Sequence, residues 1–194
     1  MSKKKHKHAH HFNRSIRILL ATNAIVLVAG AMLGPIYALF VADIGGDLLD
    51  AGAAASIFAI AAGSTALFSG KIADSIKETE IMVIAGYLIL AIGFIGFTLV
   101  QDMWSLLLVQ AIIGFGEAIY SPAYDALYSD HSDKSEEGLE WGAWEAMNYF
   151  TYAGGALIGG VVATYLGFNI LFTAMAVLCM VSAVYLLVLP REVL

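Results

Sequence analysis

Six blocks of apolar residues, each long enough to cross a bilayer as a helix, make up most of this 194-residue chain. The blocks cover about 16–41, 51–69, 81–100, 104–128, 141–165 and 169–189. Only 13% of the residues are charged and 60% are hydrophobic, whereas a soluble domain carries roughly twice that share of charge. The chain is therefore predicted to be an all-α, polytopic membrane protein, with a basic tail at 1–15 and a six-helix transmembrane domain at 16–194.

The basic residues predict the orientation of the spans. Six spans leave both termini on one side, and every Lys and Arg falls on that side: the N-terminal set through Arg17, then Lys71, Lys77, Lys134 and Arg191. The three loops on the other side contain none. By the positive-inside rule both termini are expected to be cytoplasmic, in a multi-pass protein of the plasma or inner membrane that contacts its lipids.

The fourth span contains a carboxyl group, Glu117, well inside its apolar run. Ionising a carboxyl in hydrocarbon is costly, so an intramembrane Glu is a functional-site hypothesis by default. Helical spacing places Glu117 on a stripe of small and polar residues, and the first span has a similar stripe. The stripes contain Gln110, Gly114, Ser121, Tyr124 and Tyr128 in the fourth span, and Asn23, Leu27, Gly30, Gly34 and Tyr37 in the first. The alternative interpretation of Glu117 is a protonated side chain that is hydrogen-bonded to a neighbouring helix.

The six spans repeat a pattern of three. Spans one and four carry polar or helix-breaking residues, spans two and five are rich in small residues, and spans three and six are the most apolar and suit a lipid-facing position. Because three is odd, the second triplet must be inverted relative to the first. Two inverted three-helix repeats with broken helices are typical of secondary transporters.

Several segments resemble motifs of the major facilitator superfamily, and the chain is similar to the N-terminal six-helix half of drug/proton antiporter-like members. Gly70-Lys71-Ile72-Ala73-Asp74 resembles the first half of the family's loop signature between spans two and three. Gly34-Pro35-Ile36-Tyr37 is similar to the first span of drug transporters, and Gly155-Ala156-Leu157-Ile158-Gly159-Gly160 resembles the fifth-span antiporter motif. Gln110 stands where the fourth-span motif of proton-coupled members has an Arg.

The resemblance implies roles for individual residues. It implies a central cavity lined by spans one and four, so the expected substrate-cavity residues are Asn23, Tyr37, Gln110, Tyr120 and Tyr124, with Glu117 as the proton-coupling group. Glu145 and Asn148 are candidate gating residues near the cytoplasmic mouth, although a solvated rim explains them as well. Gly155, Gly159 and Gly160 indicate either the antiporter motif or close helix packing. Asp74, with Gly70 in the same motif, is expected to meet the start of span five in a partner copy, or else to be a solvated loop acid.

Family members normally have twelve helices in two halves related by an axis along the membrane normal, so the resemblance implies a parallel homodimer. The leading hypothesis is a secondary active transporter that works by alternating access and couples export of a small or drug-like solute to protons, with symport and uniport left open. The alternative is a non-transporting six-helix subunit that pairs with or regulates another transporter half, and a third possibility is an excised half of a longer protein. No motif indicates an enzyme, a cofactor, a metal site or a nucleic-acid partner.

Overall fold

A computed structural model describes residues 13–190, so most of the basic tail predicted at 1–15 lies outside the described residues. Within that range the chain forms six long apolar helical spans, which confirms the predicted all-α membrane fold. The first span consists of α1 (Arg14–Leu33), a 3-10 turn (Gly34–Ile36) and α2 (Tyr37–Asp43). The other spans, two to six, are α3 (Leu48–Ala73), α4 (Glu80–Phe97), α5 (Met103–His131), α6 (Glu137–Leu166) and α7 (Phe168–Val188).

Acidic residues begin two of the spans. Asp47 and Asp50 cap α3 reciprocally, because each side chain accepts a hydrogen bond from the backbone N–H of the other, at 2.9 and 3.0 Å. Asp102 begins α5 by accepting from the Ser105 backbone N–H at 2.8 Å, and the Ser105 hydroxyl also donates to it. These bonds, the backbone one first, lower the pKa of Asp102. The acidic residues of these two loops therefore satisfy helix N-termini.

The helices interleave in the pattern of an inverted repeat. Span two (α3) packs mainly on span four (α5), and span five (α6) packs mainly on span one (α1). Span three (α4) also packs on span four, span six (α7) also packs on span one, and spans three and six pack on each other. Exchanging the two triplets leaves this list of main neighbours unchanged, so the main helix contacts have the symmetry of two three-helix repeats. Spans two and three thus pack on span four, the first helix of the other triplet, and spans five and six pack on span one.

Burial differs strongly between the spans. In the most apolar 18-residue stretch of each helix, 50% of α4 and 44% of α7 are buried, against 6% of α3 and 17% of α6. Spans three and six were expected to suit a lipid-facing position, but much of their apolar surface packs α4 against α7 within the bundle. The least covered helices are instead spans two and five. Part of the apolar surface of α4 and α7 stays exposed, including Ile92 and Val177, so each helix also keeps a face that can contact lipid.

Candidate functional site

A cavity of about 700 Å³ is lined by residues of all six spans, most of them from the first, fourth and fifth. Its lining is mostly apolar, with a few polar side chains. Five of the predicted site residues contribute to it, namely Tyr37, Gln110, Glu117, Tyr120 and Asn148. The exposed residues in the lining include Gly30, Gly34 and Tyr152, so a single copy of the chain leaves the cavity open on one side. In the single chain the site is therefore an open groove, which a second protein surface could cover.

Glu117 lies on the open face of this cavity. The helix around it is apolar, and the residue is exposed in the single chain. No hydrogen bond joins its carboxyl to another side chain in residues 13–190. The hydrogen bond to a neighbouring helix that the alternative interpretation requires is therefore not formed in this part of the protein, although Gln110 and Asn148 line the same cavity. The cavity lining also contains no Lys or Arg that could serve as a counter-ion.

Two predicted cavity residues, Asn23 and Tyr124, are buried and are not part of the cavity lining. Asn23 is 2% exposed, and its side-chain oxygen accepts a hydrogen bond from the Tyr87 hydroxyl at 3.1 Å. One residue earlier, the carbonyl of Thr22 accepts from the Ser182 hydroxyl at 3.0 Å. These bonds tie α1 to α4 and α7. Asn23 therefore contributes to interhelical packing in this conformation.

The two central spans share a repeated pattern that sequence reasoning missed. Pro35 follows Asn23 by 12 residues and Pro122 follows Gln110 by 12, and each Pro is followed two residues later by a Tyr. The hydroxyls of Tyr37 and Tyr124 are both buried and make no hydrogen bond of standard geometry. Tyr37 of span one faces Gln110 of span four, and Tyr124 of span four faces Asn23 of span one. These two Tyr–amide pairs are equivalent under the inverted repeat, but only the first lies in the open cavity.

Pro122 interrupts the hydrogen bonding of α5 just beyond Glu117. A proline has no N–H, so the carbonyl four residues earlier, that of Ala118, loses its helical donor. The hydroxyl of Ser69 in α3 supplies the missing hydrogen bond to that carbonyl. A neighbouring Ser side chain thus satisfies the backbone group that the proline frees, as a helix in a membrane requires. The bond also fixes the packing of span two on span four.

The glycine motif of the fifth span makes a close helix crossing. A Cβ at Gly155 would lie 2.7 Å from the Val28 carbonyl oxygen and 2.7 Å from the Ala31 Cβ, and one at Gly159 would lie 2.6 Å from the Met32 Cα. No atom lies within 4 Å of the corresponding position at Gly160. Gly155 and Gly159 therefore bring the backbones of α6 and α1 together, which is the packing interpretation of the motif.

The remaining predicted site residues lie at the ends of the helices. Asp74 caps the end of α3 through its backbone N–H and has an exposed side chain, and a Cβ at Gly70 would meet no atom within 4 Å. Glu145 is exposed and lies outside the cavity lining. Neither Asp74 nor Glu145 lines the cavity. A gating role for either residue would therefore require contact with a second protein surface, such as a partner copy. Among residues 13–190 no group of three or more His, Cys, Asp or Glu side chains is arranged to hold a metal ion.

Sequence reasoning also missed two acidic residues of the cytoplasm-facing end predicted for α5 and α6. Asp125 lies two helical turns beyond Glu117 on α5 and is partly buried. Glu140 is 4% exposed, and its carboxylate accepts hydrogen bonds from the Ser132 hydroxyl and, at 2.9 Å, from the Asp133 backbone N–H. Glu140 therefore fixes the loop between α5 and α6. The only sequence signal for this role was that Glu140 lies in the first turn of α6. Exposed acidic residues are also common in the first turn of a helix, so the signal does not identify a buried one.

Six spans in two inverted triplets around a polar-edged cavity define one half of a secondary transporter fold. A model of the Major Facilitator Superfamily matches residues 19–193, and the chain belongs to this superfamily. The superfamily consists of membrane transporters, so the chain is not an enzyme.

Individual relatives agree with this family. The chain is 26% identical over 176 residues to the "Multidrug resistance protein MdtG" of Salmonella typhimurium. This match covers 89% of the chain and 43% of the Salmonella protein. It is 28% identical over 171 residues to the MdtG protein of Enterobacter lignolyticus, covering 86% and 41%. The solved structure of the POT family transporter PepTSo superposes with a TM-score of 0.73 at 20% identity, over 92% of this chain and 37% of that one, and shows the fold alone. The chain thus spans about two-fifths of the length of these relatives.

Proposed function

We propose that the chain is a secondary active transporter that works by alternating access as a parallel homodimer and couples the export of a small or drug-like solute to protons. The observation that carries this proposal is Glu117, an exposed carboxyl on the face of a wide cavity and in the middle of a membrane-spanning helix. An ionised carboxyl at this depth in the membrane has a high free energy, so binding or release of a proton there changes the free energy of the protein strongly. A proton taken up by Glu117 would favour one state of the cavity, and its release would favour another.

The chemistry of the cavity lining favours amphipathic cations and neutral solutes as substrates. It is mostly apolar, with tyrosine, amide and carboxyl groups and no basic side chain. Such a surface suits amphipathic cations and neutral solutes better than anions, because an anion would meet Glu117 without a compensating cation. The similarity to proteins named for multidrug resistance supports the same class. Protonation of Glu117 would weaken the attraction of a bound cation, which is the exchange that antiport requires.

The dimer is supported by the exposed faces that border the cavity. Spans two and five are the least buried helices, and both carry large apolar side chains that no other helix covers. A two-fold axis along the membrane normal would set two such faces against each other and enclose the cavity between two copies. It would also bring Asp74 of one copy toward the start of α6 in the other, where the helix dipole attracts an anion.

The proposed orientation has both termini in the cytoplasm. Arg14, Arg17, Lys71, Lys77 and Lys134 all lie at one end of the bundle, and the loops at the other end carry no basic residue. The Asn13 side-chain amide donates to the His131 carbonyl at 2.7 Å, which joins the start of α1 to the end of α5 at the same membrane face. The positive-inside rule assigns that face to the cytoplasm.

Transport in proteoliposomes tests the coupling. The full chain is reconstituted and the accumulation of a fluorescent amphipathic cation is followed under an imposed pH gradient. We expect the wild-type chain to accumulate the dye and Glu117→Gln to lose the dependence on the pH gradient, because the amide cannot exchange a proton. Asp130→Asn, an exposed acid at the end of the same helix, should behave as the wild type. Accumulation by Glu117→Gln that still follows the pH gradient would refute the assignment of Glu117.

Cross-linking tests the dimer separately. The only Cys of the chain, Cys179, is buried, so Cys179→Ala gives a background for new cysteines. Ile60→Cys on α3 together with Phe150→Cys on α6 should form an intermolecular disulfide in native membranes, since both side chains are exposed near the middle of their spans. A matched pair on the α4 and α7 surface, Ile92→Cys with Val177→Cys, should remain monomeric. Equal cross-linking of the two pairs would contradict the proposed interface.

The second candidate function is a non-transporting six-helix subunit that pairs with or regulates another transporter half. The observation that favours it is the match to about two-fifths of the length of the relatives, combined with a cavity that one copy leaves open. Absence of flux under any gradient, together with absence of the α3–α6 cross-link, would support this alternative over the homodimeric transporter.

A further inference from the structure

A second groove lies between α1 and α7 and plays no part in the proposed transport path. Its volume is about 420 Å³, which is within the range of ligand sites. Its residues on α1 begin with Arg14 and continue at helical spacing through Arg17 and Ala21. At about 100° per residue these positions lie on the side of α1 opposite Gly30 and Gly34, which line the cavity. The groove is open at the surface of the chain, because several of its lining residues are exposed, namely Arg14, Arg17, Ala21, Val181 and Tyr185.

The chemistry of the groove changes along its length. One end holds the guanidinium groups of Arg14 and Arg17, both within the first turn of α1, and no carboxylate lines the groove. Beyond them the lining is mostly apolar, with Val181 of α7 half-exposed along one wall, and the hydroxyls of Thr22 and Ser182 donate to backbone carbonyls. Tyr185, which is 50% exposed, lies on α7 near the charged end, at a depth where aromatic side chains meet lipid headgroups. Positive charge at one end and an apolar channel beyond it match the two parts of a phospholipid.

The charged end also has the electrostatics of an anion site. Two cations in the first turn of a helix are disfavoured by the helix dipole, and an anion placed there is favoured both by the dipole and by the cations. A phosphodiester between Arg14 and Arg17 would accept charge-assisted hydrogen bonds from both guanidinium groups. Basic pockets between spans on the cytoplasmic side bind anionic headgroups in this way.

We propose that the groove between α1 and α7 binds one anionic phospholipid of the cytoplasmic leaflet, with its phosphate between Arg14 and Arg17 and an acyl chain along Val181. The proposal rests on the proposed orientation of the termini and not on transport activity. A chain that bound this lipid and transported nothing would leave it intact.

Native mass spectrometry of the purified full chain in detergent tests the charged end. Titration with phosphatidylglycerol should give saturable binding that is roughly tenfold or more tighter than binding of phosphatidylcholine. Arg14→Gln/Arg17→Gln should remove this preference, a loss of roughly 10- to 30-fold in affinity for the anionic lipid. Lys71→Gln/Lys77→Gln removes the same charge on the same side away from the groove, and should keep the preference. Equal binding of the two lipids by the wild type, or equal losses in the two double variants, would overturn the proposal.

The apolar part is tested without any change in charge. Val181→Trp fills the groove, and Val177→Trp adds the same side chain one turn away on α7, at a similarly exposed position outside the groove. We expect only Val181→Trp to weaken phosphatidylglycerol binding. Displacement of the lipid by millimolar inorganic phosphate, with no effect of Val181→Trp, would mean that the site takes a free anion and would refute a lipid site.

Discussion

The close crossing of α6 on α1 leads to a prediction that two pairs of adjacent glycines can test. At Gly155 and Gly159 an added Cβ would meet the backbone of α1, whereas at Gly154 and Gly160 it would meet no atom within 4 Å. Each pair therefore offers a clashing position and an open position with the same residue type, in the same helix, one residue apart.

The magnitude follows from the distances. At Gly155 the new methyl group would lie 2.7 Å from the Val28 carbonyl oxygen, and ordinary contacts of a Cβ begin near 3.4 Å. The backbones must therefore separate by several tenths of an ångström, and overpacking of this kind typically costs about 1–3 kcal/mol. Replacing Gly by Ala within a helix also contributes a favourable term of about 0.5–1 kcal/mol. Because that term is common to both members of a pair, the difference between Gly155→Ala and Gly154→Ala should equal the packing term.

Reversible unfolding in mixed micelles with increasing SDS measures this difference. We expect Gly154→Ala and Gly160→Ala to be neutral or slightly stabilising, and Gly155→Ala and Gly159→Ala to be less stable than their neighbours by about 1–3 kcal/mol. The larger loss should occur at Gly159, where all three of the nearest atoms belong to the Met32 backbone, which moves less easily than a side chain. Equal stabilities within each pair would refute the account of this crossing.

Three further predictions concern side chains that make hydrogen bonds. Ser69→Ala should destabilise the chain by about 1–2 kcal/mol, and by less in a Pro122→Ala background, because Ala at 122 restores an amide donor to the unpaired carbonyl; a double-mutant cycle measures the coupling. Tyr87→Phe should cost about 0.5–1.5 kcal/mol while Tyr124→Phe should cost less, since only the Tyr87 hydroxyl makes a hydrogen bond of standard geometry, and equal losses would contradict this. Because folding lowers the pKa of Asp102, its stabilising effect should be present above about pH 4 and fade as the pH falls below that value, so the difference in melting temperature between wild type and Asp102→Asn should shrink only in acid.

The spans can be predicted from the sequence because a helix that crosses the bilayer needs about 20 consecutive, mostly apolar residues, and such a run is visible in the sequence itself. Glu117, Gln110 and Tyr37 were predicted for the cavity and line it, since the stripe of small and polar residues gives the direction in which each helix faces. Asn23 and Tyr124 lie on the same stripes, but they are buried between helices and do not line the cavity. Helical periodicity predicts the side of the helix on which a residue lies, but it does not predict which residues of that side are covered by a neighbouring side chain, as Asn23 is bonded by Tyr87.

Other features needed the three-dimensional contacts. The glycine motif of span five predicts a close approach, but only the structure distinguishes Gly155 and Gly159, which touch α1, from Gly160, which does not. The hydrogen bond from Ser69 to the carbonyl freed by Pro122 joins residues 49 positions apart. Neither partner could be chosen from the sequence, since both lie in apolar spans with several small polar residues.

The interleaved packing of the two triplets has a consequence for biosynthesis. Spans one, two and three emerge first from the ribosome, yet α3 and α4 find their main partner in α5, and α1 finds its partners in α6 and α7. A nascent chain that has inserted only its first triplet thus has few helix contacts to form. Assembly in the membrane should begin when the fourth span leaves the translocon, and the early spans should remain accessible to chaperones and proteases until then.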